Sequence, residues 1–156
     1  MRVRAYRADD ARVLPQILHA AVHATGSAGY SSAQRDAWSP APLTAAAYQA
    51  RVDAGRTVFT AVDDADHPVA FIELERDGRI DCFYCHPDAA RAGVGGLLYD
   101  RLERKAVAAG LARLYVEASE AARRFFLQRG FVTAGRREFE RRGVLIHNYA
   151  MEKLLG

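Results

Sequence analysis

The chain has 156 residues, of which 50% are hydrophobic and 26% are charged, and its formal net charge is +3. This size and composition predict one globular domain over residues 1–156 with a sizeable buried core. No apolar stretch approaches the about 18 residues of a membrane-spanning helix and no nucleic-acid-binding motif is recognisable, so we expect neither a membrane nor a nucleic acid as partner. The first ten residues carry acids and lack an apolar signal core, which predicts a cytoplasmic protein.

Strands and helices alternate along the first half of the chain. Asp9 is a suitable N-cap for a helix in which Pro15 is expected to cause a kink. The segment 26–42 is rich in Gly, Ser, Ala and Pro, which predicts a functional loop or a broken helix. The remaining predicted elements are strand 2–6, helix 9–24, helix 44–54, and strands 57–63 and 69–76. This alternation favours an α/β or α+β domain around a mixed sheet.

The next predicted strand, 79–85, carries two cysteines in the sequence Cys82-Phe-Tyr-Cys85-His86. This order of residues matches the attachment site of c-type haem and also a Cys-x-x-Cys motif. Residues three apart on a strand point to opposite faces of the sheet, and haem attachment takes place outside the cytoplasm. We therefore expect both cysteines to be reduced, buried thiols that bind neither haem nor metal.

Three glycines follow this strand and introduce a predicted helix over 94–109. A strand that passes through Gly93, Gly95 and Gly96 into a helix directs several backbone N–H groups and the positive end of the helix dipole at one point. Such a point favours phosphate, so we expect a phosphate-bearing cofactor. A P-loop would require Gly-Lys-Ser/Thr here. A dinucleotide fingerprint would require a third glycine at Leu98, in a tight turn directly after the strand.

The last third of the chain continues the alternation of elements. Ser119 is a suitable N-cap for a helix that Gly130 ends. Glu117 lies at the end of a strand, where the ribose-binding acid of a dinucleotide enzyme would lie, so a nicotinamide dinucleotide enzyme stays open as an alternative. The predicted elements are strand 111–117, helix 119–130, and strands 131–140 and 144–154 with a hairpin turn at 141–143.

The glycine segment resembles the cofactor loop of the GNAT acetyltransferases. In that family a strand and a proline precede Gln/Arg-x-x-Gly-x-Gly/Ala, and a helix starts at the second glycine. The pattern falls here on residues 90–95, with Ala90 at the first position as a departure from the family. Arg91, one residue later, is expected to supply the missing charge.

Three other segments carry the same resemblance, so that it covers nearly the whole chain. The segment 116–131 is similar to the family's later motif, a strand followed by a short helix with an aromatic pair and then Gly-Phe. The segments 30–38 and 142–153 resemble the acceptor-side loop and the final strand of one GNAT subgroup.

The resemblance implies an α+β fold with a mixed, mostly antiparallel central sheet flanked by about four helices. It implies acetyl-CoA as cofactor and a primary amine of a small molecule or peptide as acceptor, which attacks the thioester directly in a ternary complex. A homodimer is compatible with it. For Ser119 a plain N-cap is an equal alternative to a cofactor contact. The residues implied to bind the cofactor are Phe83, Tyr84, Cys85, Ala90, Arg91, Ala92, Gly93, Val94, Gly95, Gly96, Ser119 and Phe126.

The catalytic groups are the point at which this chain departs from the family. The tyrosine that commonly protonates the leaving thiol is replaced by Phe126, which has no proton to donate. Tyr84 is the first candidate to replace this tyrosine as the acid. The alternative is that Tyr84 is only an aromatic residue of the core. Glu73 is the first candidate for the base, with Asp81 and His147 behind it. A solvated outer face of the strand is the alternative for Glu73 and its neighbour Glu75.

The candidate acceptor-binding residues are Tyr30, Trp38 and His147. The alternative for Trp38 is that its side chain fills space in the core. An aromatic wall would suit an apolar or cationic amine. Because Ala90 and Phe126 depart from the family, a second class of function stays open. The chain would then be a sensor or regulatory module that holds acyl-CoA without turnover.

Overall fold

The structure, a computed structural model, describes residues 1–24, 29–90 and 92–156. Most of its helices and strands follow one another as the sequence pattern predicts. In chain order they are β1 (Arg2–Ala5), α1 (Leu14–His23), α2 (Ser32–Trp38), α3 (Ala45–Asp53), β2 (Thr57–Val62), β3 (Pro68–Leu74), β4 (Arg79–Cys85), α4 (Val94–Ala108), β5 (Arg113–Ala118), α5 (Glu120–Gln128), β6 (Val132–Arg141) and β7 (Val144–Leu154). Among the described residues, no helix is both long enough and apolar enough to cross a membrane.

The strands form one seven-stranded sheet in the order β1-β2-β3-β4-β5-β7-β6. Neighbouring strands are antiparallel except for β4 and β5, which run parallel because α4 connects them as a crossover. This confirms the predicted mixed, mostly antiparallel sheet, with five described α-helices where about four were expected. The Arg142-Gly143 turn between β6 and β7 has positive φ at both residues, +49° and +77°, as two-residue hairpin turns require.

The predicted helix 9–24 is wrong as a single element. A short 3₁₀ helix over Ala8–Arg12 precedes α1, and Pro15 lies in the first turn of α1. Proline suits that position because its missing N–H has no partner inside the helix. Asp10, rather than Asp9, organises the break, because its buried carboxylate accepts hydrogen bonds from the Arg7 backbone N–H and the Arg4 guanidinium.

The predicted loop 26–42 contains a regular element. Ser31 and Gln34 form a capping box that starts α2, in which each side chain accepts from the backbone N–H of the other. Residues 25–28 of this segment lie outside the described ranges. The broken-helix alternative therefore describes 29–42 better than the loop does.

Two hydrophobic clusters pack on opposite faces of the sheet. The larger one joins α4 and α5 to the sheet and includes Leu98, Leu102 and Phe126, while the smaller one joins α1 and α3 to it. Cys82 belongs to the smaller cluster and Cys85 packs against the larger one. The prediction that these two cysteines point to opposite faces is therefore confirmed.

Candidate functional site

The two parallel strands diverge after a short pairing, and this leaves an opening in the middle of the sheet. β4 and β5 are paired at only two positions, Arg79↔Tyr115 and Ile80↔Val116. On its other side, β4 has one extra residue against β3, because Ile80 pairs with Leu74 while Phe83 pairs with Ile72. A bulge of this kind bends a strand. The backbone of β4 beyond Ile80 therefore faces the opening instead of β5.

The N-terminus of α4 lies at the end of this opening. Gly93 is its N-cap and has a φ of +77°, a conformation that favours glycine. Gly95 is needed for another reason, since a Cβ there would lie 3.3 Å from Phe83 Cζ and 3.6 Å from Phe125 Cε2. The first N–H groups of a helix have no partner within it and attract anions. The glycines thus place an anion-binding helix end against β4.

The residues predicted to bind the cofactor lie around this opening. The part of β4 that is not paired with β5 contains Phe83, Tyr84 and Cys85. The loop and the first turn of α4 contain Ala90 and Ala92 to Gly96. Arg91 lies outside the described residues. Ser119 directly follows β5 and caps α5, where its Oγ accepts a hydrogen bond from the Ala122 N–H at 3.2 Å. Ser119 is therefore an N-cap, and its contact with the cofactor stays a prediction.

Phe126 is part of the core. Its side chain is 1% exposed, and its ring lies 5.0 Å from that of Phe131 and 5.9 Å from that of Phe83. Position 126 thus contributes an apolar ring to the α5 side of the opening.

Tyr84 and Trp38, which are far apart in the sequence, contact each other. The Trp38 Nε1–H donates a hydrogen bond to the Tyr84 hydroxyl oxygen at 3.1 Å. Because that oxygen acts as acceptor, its own proton is not used in this bond. Burial raises the pKa of Tyr84, which makes its phenol a weaker acid than an exposed tyrosine. Like any tyrosine it is protonated at neutral pH, and the bond from Trp38 leaves that proton free for another acceptor.

Glu73 does not lie on a solvated outer face, and that alternative is wrong. Its side chain is fully buried, and its Oε2 accepts a hydrogen bond from the Tyr48 hydroxyl at 2.6 Å. Its Oε1 lies 3.1 Å from Arg51 Nη2 and 3.3 Å from Arg56 Nη1. A carboxylate held in this way is poorly placed to take a proton from an acceptor.

Asp81 contacts the same two arginines, and Cys82 contacts one of them. Both guanidinium groups contact the Asp81 carboxylate, and Cys82 Sγ lies 3.5 Å from Arg51 Nη2. The possible ligand atoms of Glu73, Asp81 and Cys82 all lie within 4.8 Å of one another. The arginines already supply the positive charge that a metal ion would bring, and burial raises the pKa of Cys82. This arrangement fits an ion-pair cluster with a neutral thiol.

A second polar cluster surrounds His147 at the N-terminus of α5. His147 Nε2 donates a short hydrogen bond to Glu120 Oε2, and the Tyr149 hydroxyl donates to the same oxygen at 3.2 Å. The bond from His147 lowers the pKa of Glu120. Tyr30 ties the cluster together, because its hydroxyl donates to the His147 carbonyl oxygen and accepts from the Glu120 N–H.

The structure therefore brings Tyr30 and His147 together, and it places Trp38 with Tyr84. Sequence reasoning missed Glu120. An acid in the first turn of a helix is explained by the helix dipole alone, so its contact with His147 had no signal of its own. Its position directly after the capping residue Ser119 was the only available clue.

Comparisons with known proteins agree with this geometry. The model of a family described as "Acetyltransferase (GNAT) domain" matches residues 27–153. An uncharacterized N-acetyltransferase of Escherichia coli, YafP, is 30% identical over 151 residues, which cover 97% of this chain and 94% of that protein.

Solved structures resemble the chain as well. The one described as "GCN5-Related N-acetyltransferase: Aminotransferase, Class-II", from Rhodopseudomonas palustris, has a TM-score of 0.89 at 35% identity and covers 98% of this chain and 94% of its own. The structure of a Salmonella typhimurium acetyltransferase with its cofactor acetyl-CoA has a TM-score of 0.75 at 20% identity and covers 100% and 94%. At that identity the second likeness bears on the fold alone.

Proposed function

The chain belongs to the GNAT family of acetyltransferases, and from this premise we propose that it transfers an acetyl group from acetyl-CoA to a primary amine of a small molecule or peptide. The amine attacks directly, with donor and acceptor bound at the same time. One observation supports this proposal most strongly. The divergence of β4 and β5 leads directly to the glycine-rich N-terminus of α4. A cytoplasmic location remains a prediction of the sequence.

The residues around the opening fit acetyl-CoA, which supplies an acyl group activated as a thioester. The backbone groups of Phe83, Tyr84 and Cys85 would pair with the amides of the pantetheine arm, as a peptide adds to a strand edge. The N–H groups from Ala92 to Gly96 would bind the pyrophosphate. Gly95 supports this fit, because the added Cβ of any other residue would press on Phe83 at the wall of the opening.

The reaction has two proton transfers that side chains of this chain can assist. An amine has a pKa of about 10 and arrives protonated, so a base must remove a proton before it attacks. A thiol leaves with a pKa of about 8.5, so an acid helps its departure. We assign the acid to Tyr84, which lies on β4 with its proton free of the bond from Trp38.

We assign the base to His147 rather than to Glu73. In the neutral imidazole whose Nε2–H donates to Glu120, Nδ1 carries no proton and can accept one. Its side chain is 15% exposed, whereas that of Glu73 is fully buried. Glu120 directly follows the end of β5. The acid and the base therefore belong to opposite sides of the opening.

The test is the release of free thiol from acetyl-CoA across a panel of small primary amines and peptides. We expect turnover with at least one amine. His147→Asn should lower kcat by about 10²- to 10⁴-fold, the contribution of one positioned base. Glu73→Gln should leave kcat of the folded protein within a few fold. The reverse ranking would return the base to Glu73.

The rival function, an acyl-CoA-binding module without turnover, is kept open by the two departures from the family, Ala90 and Phe126. At the position of the family's usual acid, the chain has a buried ring that belongs to the aromatic core. Both functions predict binding of acetyl-CoA. Calorimetric binding without thiol release from any amine in the panel would select the module.

A further inference from the structure

An arginine covers the aromatic wall of the predicted acceptor site. The guanidinium carbon of Arg141, the last residue of β6, lies 4.4 Å from the centroid of the Trp38 ring. The same indole donates its N–H to the Tyr84 hydroxyl. Contacts therefore connect Arg141 to Trp38 and Trp38 to Tyr84, the proposed acid.

The charge of Arg141 is not balanced. Other arginines on this face of the sheet have carboxylate partners: Arg51 and Arg56 pair with Glu73 and Asp81, and Arg79 and Arg137 pair with Glu117. No carboxylate pairs with Arg141 in the ranges 1–24, 29–90 and 92–156.

The surroundings of Arg141 increase this imbalance. Its neighbour Arg142 donates a hydrogen bond to the Ala37 carbonyl oxygen and has no carboxylate partner within the described residues, so it adds a second positive charge. Burial and this neighbouring cation lower the pKa of Arg141. Asp81, the acid that acts on Arg141 from β4, is held by Arg51 and Arg56. The half-buried guanidinium thus lacks the counter-ion that would make its position favourable.

We propose that the acceptor amine carries a carboxylate and that Arg141, held on the face of Trp38, binds it. This inference rests on the proposed function, because it names the class of acceptor for the same site. A guanidinium binds a carboxylate through two parallel hydrogen bonds. Phe139, whose ring lies 6.1 Å from that of Trp38, adds an apolar surface for the rest of the molecule.

Of the apolar and cationic amines expected for an aromatic wall, the same geometry favours the apolar ones. The wall exists, but the cation that stacks on it belongs to the protein. A second cation beside Arg141 would be repelled. Positive charge nearby also disfavours the ammonium form of the acceptor, and only the neutral amine attacks.

Binding can be measured without turnover, because Trp38 is the single tryptophan of the chain. Phenylacetate and its neutral counterpart phenylacetamide are titrated into the full-length protein in the presence of coenzyme A, and the midpoint of the change in tryptophan fluorescence is recorded. We expect phenylacetate to bind about ten- to a hundredfold more tightly than the amide, the range of a charge-assisted hydrogen-bonded pair. Equal midpoints for the two probes overturn the proposal.

Three variants sharpen the test. Arg141→Gln should remove the preference for phenylacetate, and Arg141→Lys, which keeps the charge without the planar fork, should keep part of it. Arg104→Gln, an exposed arginine on α4, is the matched control and should bind as the wild type does. Circular dichroism checks that each variant is folded. An unchanged preference in folded Arg141→Gln overturns the proposal.

An acetylation assay distinguishes a failure of this inference from a failure of the proposed function. With phenylalanine, phenylalaninamide and phenethylamine as acceptors, we expect the lowest KM for phenylalanine and a rise of KM for it in Arg141→Gln. If these amines are acetylated with equal KM, the anion site is wrong and the acetyltransferase stands. If none of the panel releases thiol but phenylacetate binds through Arg141, the proposed function fails and the anion site stands.

Discussion

Tyr84 is the residue on which the proposed chemistry depends most. Its phenol lies on β4 and accepts a hydrogen bond from Trp38, so its own proton is free for another acceptor, although burial raises its pKa and makes it a weaker acid than an exposed tyrosine. Phe126, at the position where the family usually has the acid, packs in the core instead. In this proposal the acid is therefore a hydroxyl on β4, where the family usually has one on α5.

We predict that Tyr84→Phe lowers kcat by about ten- to a thousandfold, a range below and around the contribution of one positioned proton donor. The ring is kept, so calorimetry should find an unchanged affinity for acetyl-CoA. Phe126→Tyr should leave kcat unchanged or raise it, while its buried hydroxyl lowers stability by about 1–3 kcal/mol if it finds no partner. Full activity of Tyr84→Phe would make Tyr84 a core aromatic only.

Glu73 is a second residue whose role is decided by its partners. Removal of one member of a buried ion pair leaves an uncompensated charge, so Glu73→Ala should cost about 3–5 kcal/mol of unfolding free energy. Glu75→Ala is the matched control, since its half-exposed carboxylate pairs with the same Arg56 and exposed pairs contribute about 1 kcal/mol or less. Urea denaturation measures both. Equal losses would contradict the buried ion-pair role of Glu73.

At the scale of elements, the junction between β4 and α4 is the proposed cofactor site. The two glycines there act differently, because Gly93 supplies a left-handed backbone while Gly95 lets α4 approach Phe83. The bulge in β4 turns that strand away from β5. The opening thus results from one extra residue in a strand and two glycines after it.

We predict that Gly93→Asp and Gly95→Asp abolish binding of acetyl-CoA, because each adds a side chain and a negative charge where phosphate would bind. Gly110→Asp is a matched control at the other end of α4. Its φ of +75° resembles that of Gly93, and an added Cβ meets nothing within 4 Å at either position. Calorimetry should show wild-type affinity for Gly110→Asp. Unchanged affinity in folded Gly93→Asp would exclude this loop as the site.

At the scale of the whole molecule, the sheet keeps its two clusters on separate faces and is interrupted only between β4 and β5. A ligand that enters this gap would join the two halves of the sheet, β1 to β4 and β5 to β7. Its binding should therefore stabilise the domain as a unit.

We predict that acetyl-CoA at a hundred times its Kd raises the Tm by about 5–11 °C. Mass action contributes about 2.7 kcal/mol at that concentration, and a domain of this length gains about 2–4 °C for each kcal/mol. NADH at the same concentration should leave the Tm unchanged. A larger shift with NADH would favour the dinucleotide alternative that Glu117 leaves open.

The local sequence pattern was enough to predict most helices and strands and the glycine-rich junction between β4 and α4. β4, for example, has the predicted bounds, and α4 ends within one residue of its predicted end. Hydrophobic periodicity, caps and glycines act over a few neighbouring residues, so the sequence states them directly. The break before α1 lies earlier than the kink expected at Pro15, and the bounds of α2 were not predicted, because both depend on side-chain contacts that alternation does not report.

The sequence by itself determined that this is a GNAT acetyltransferase and predicted a glycine-rich strand-to-helix junction after β4. Only the tertiary structure decided which side chains act together. It separated Glu73 from solvent, paired Trp38 with Tyr84 across 46 positions, and joined Tyr30 to His147 across 117. The reason is physical: the burial and the partner of a charged or polar group depend on elements distant in the chain, whose packing no local pattern encodes.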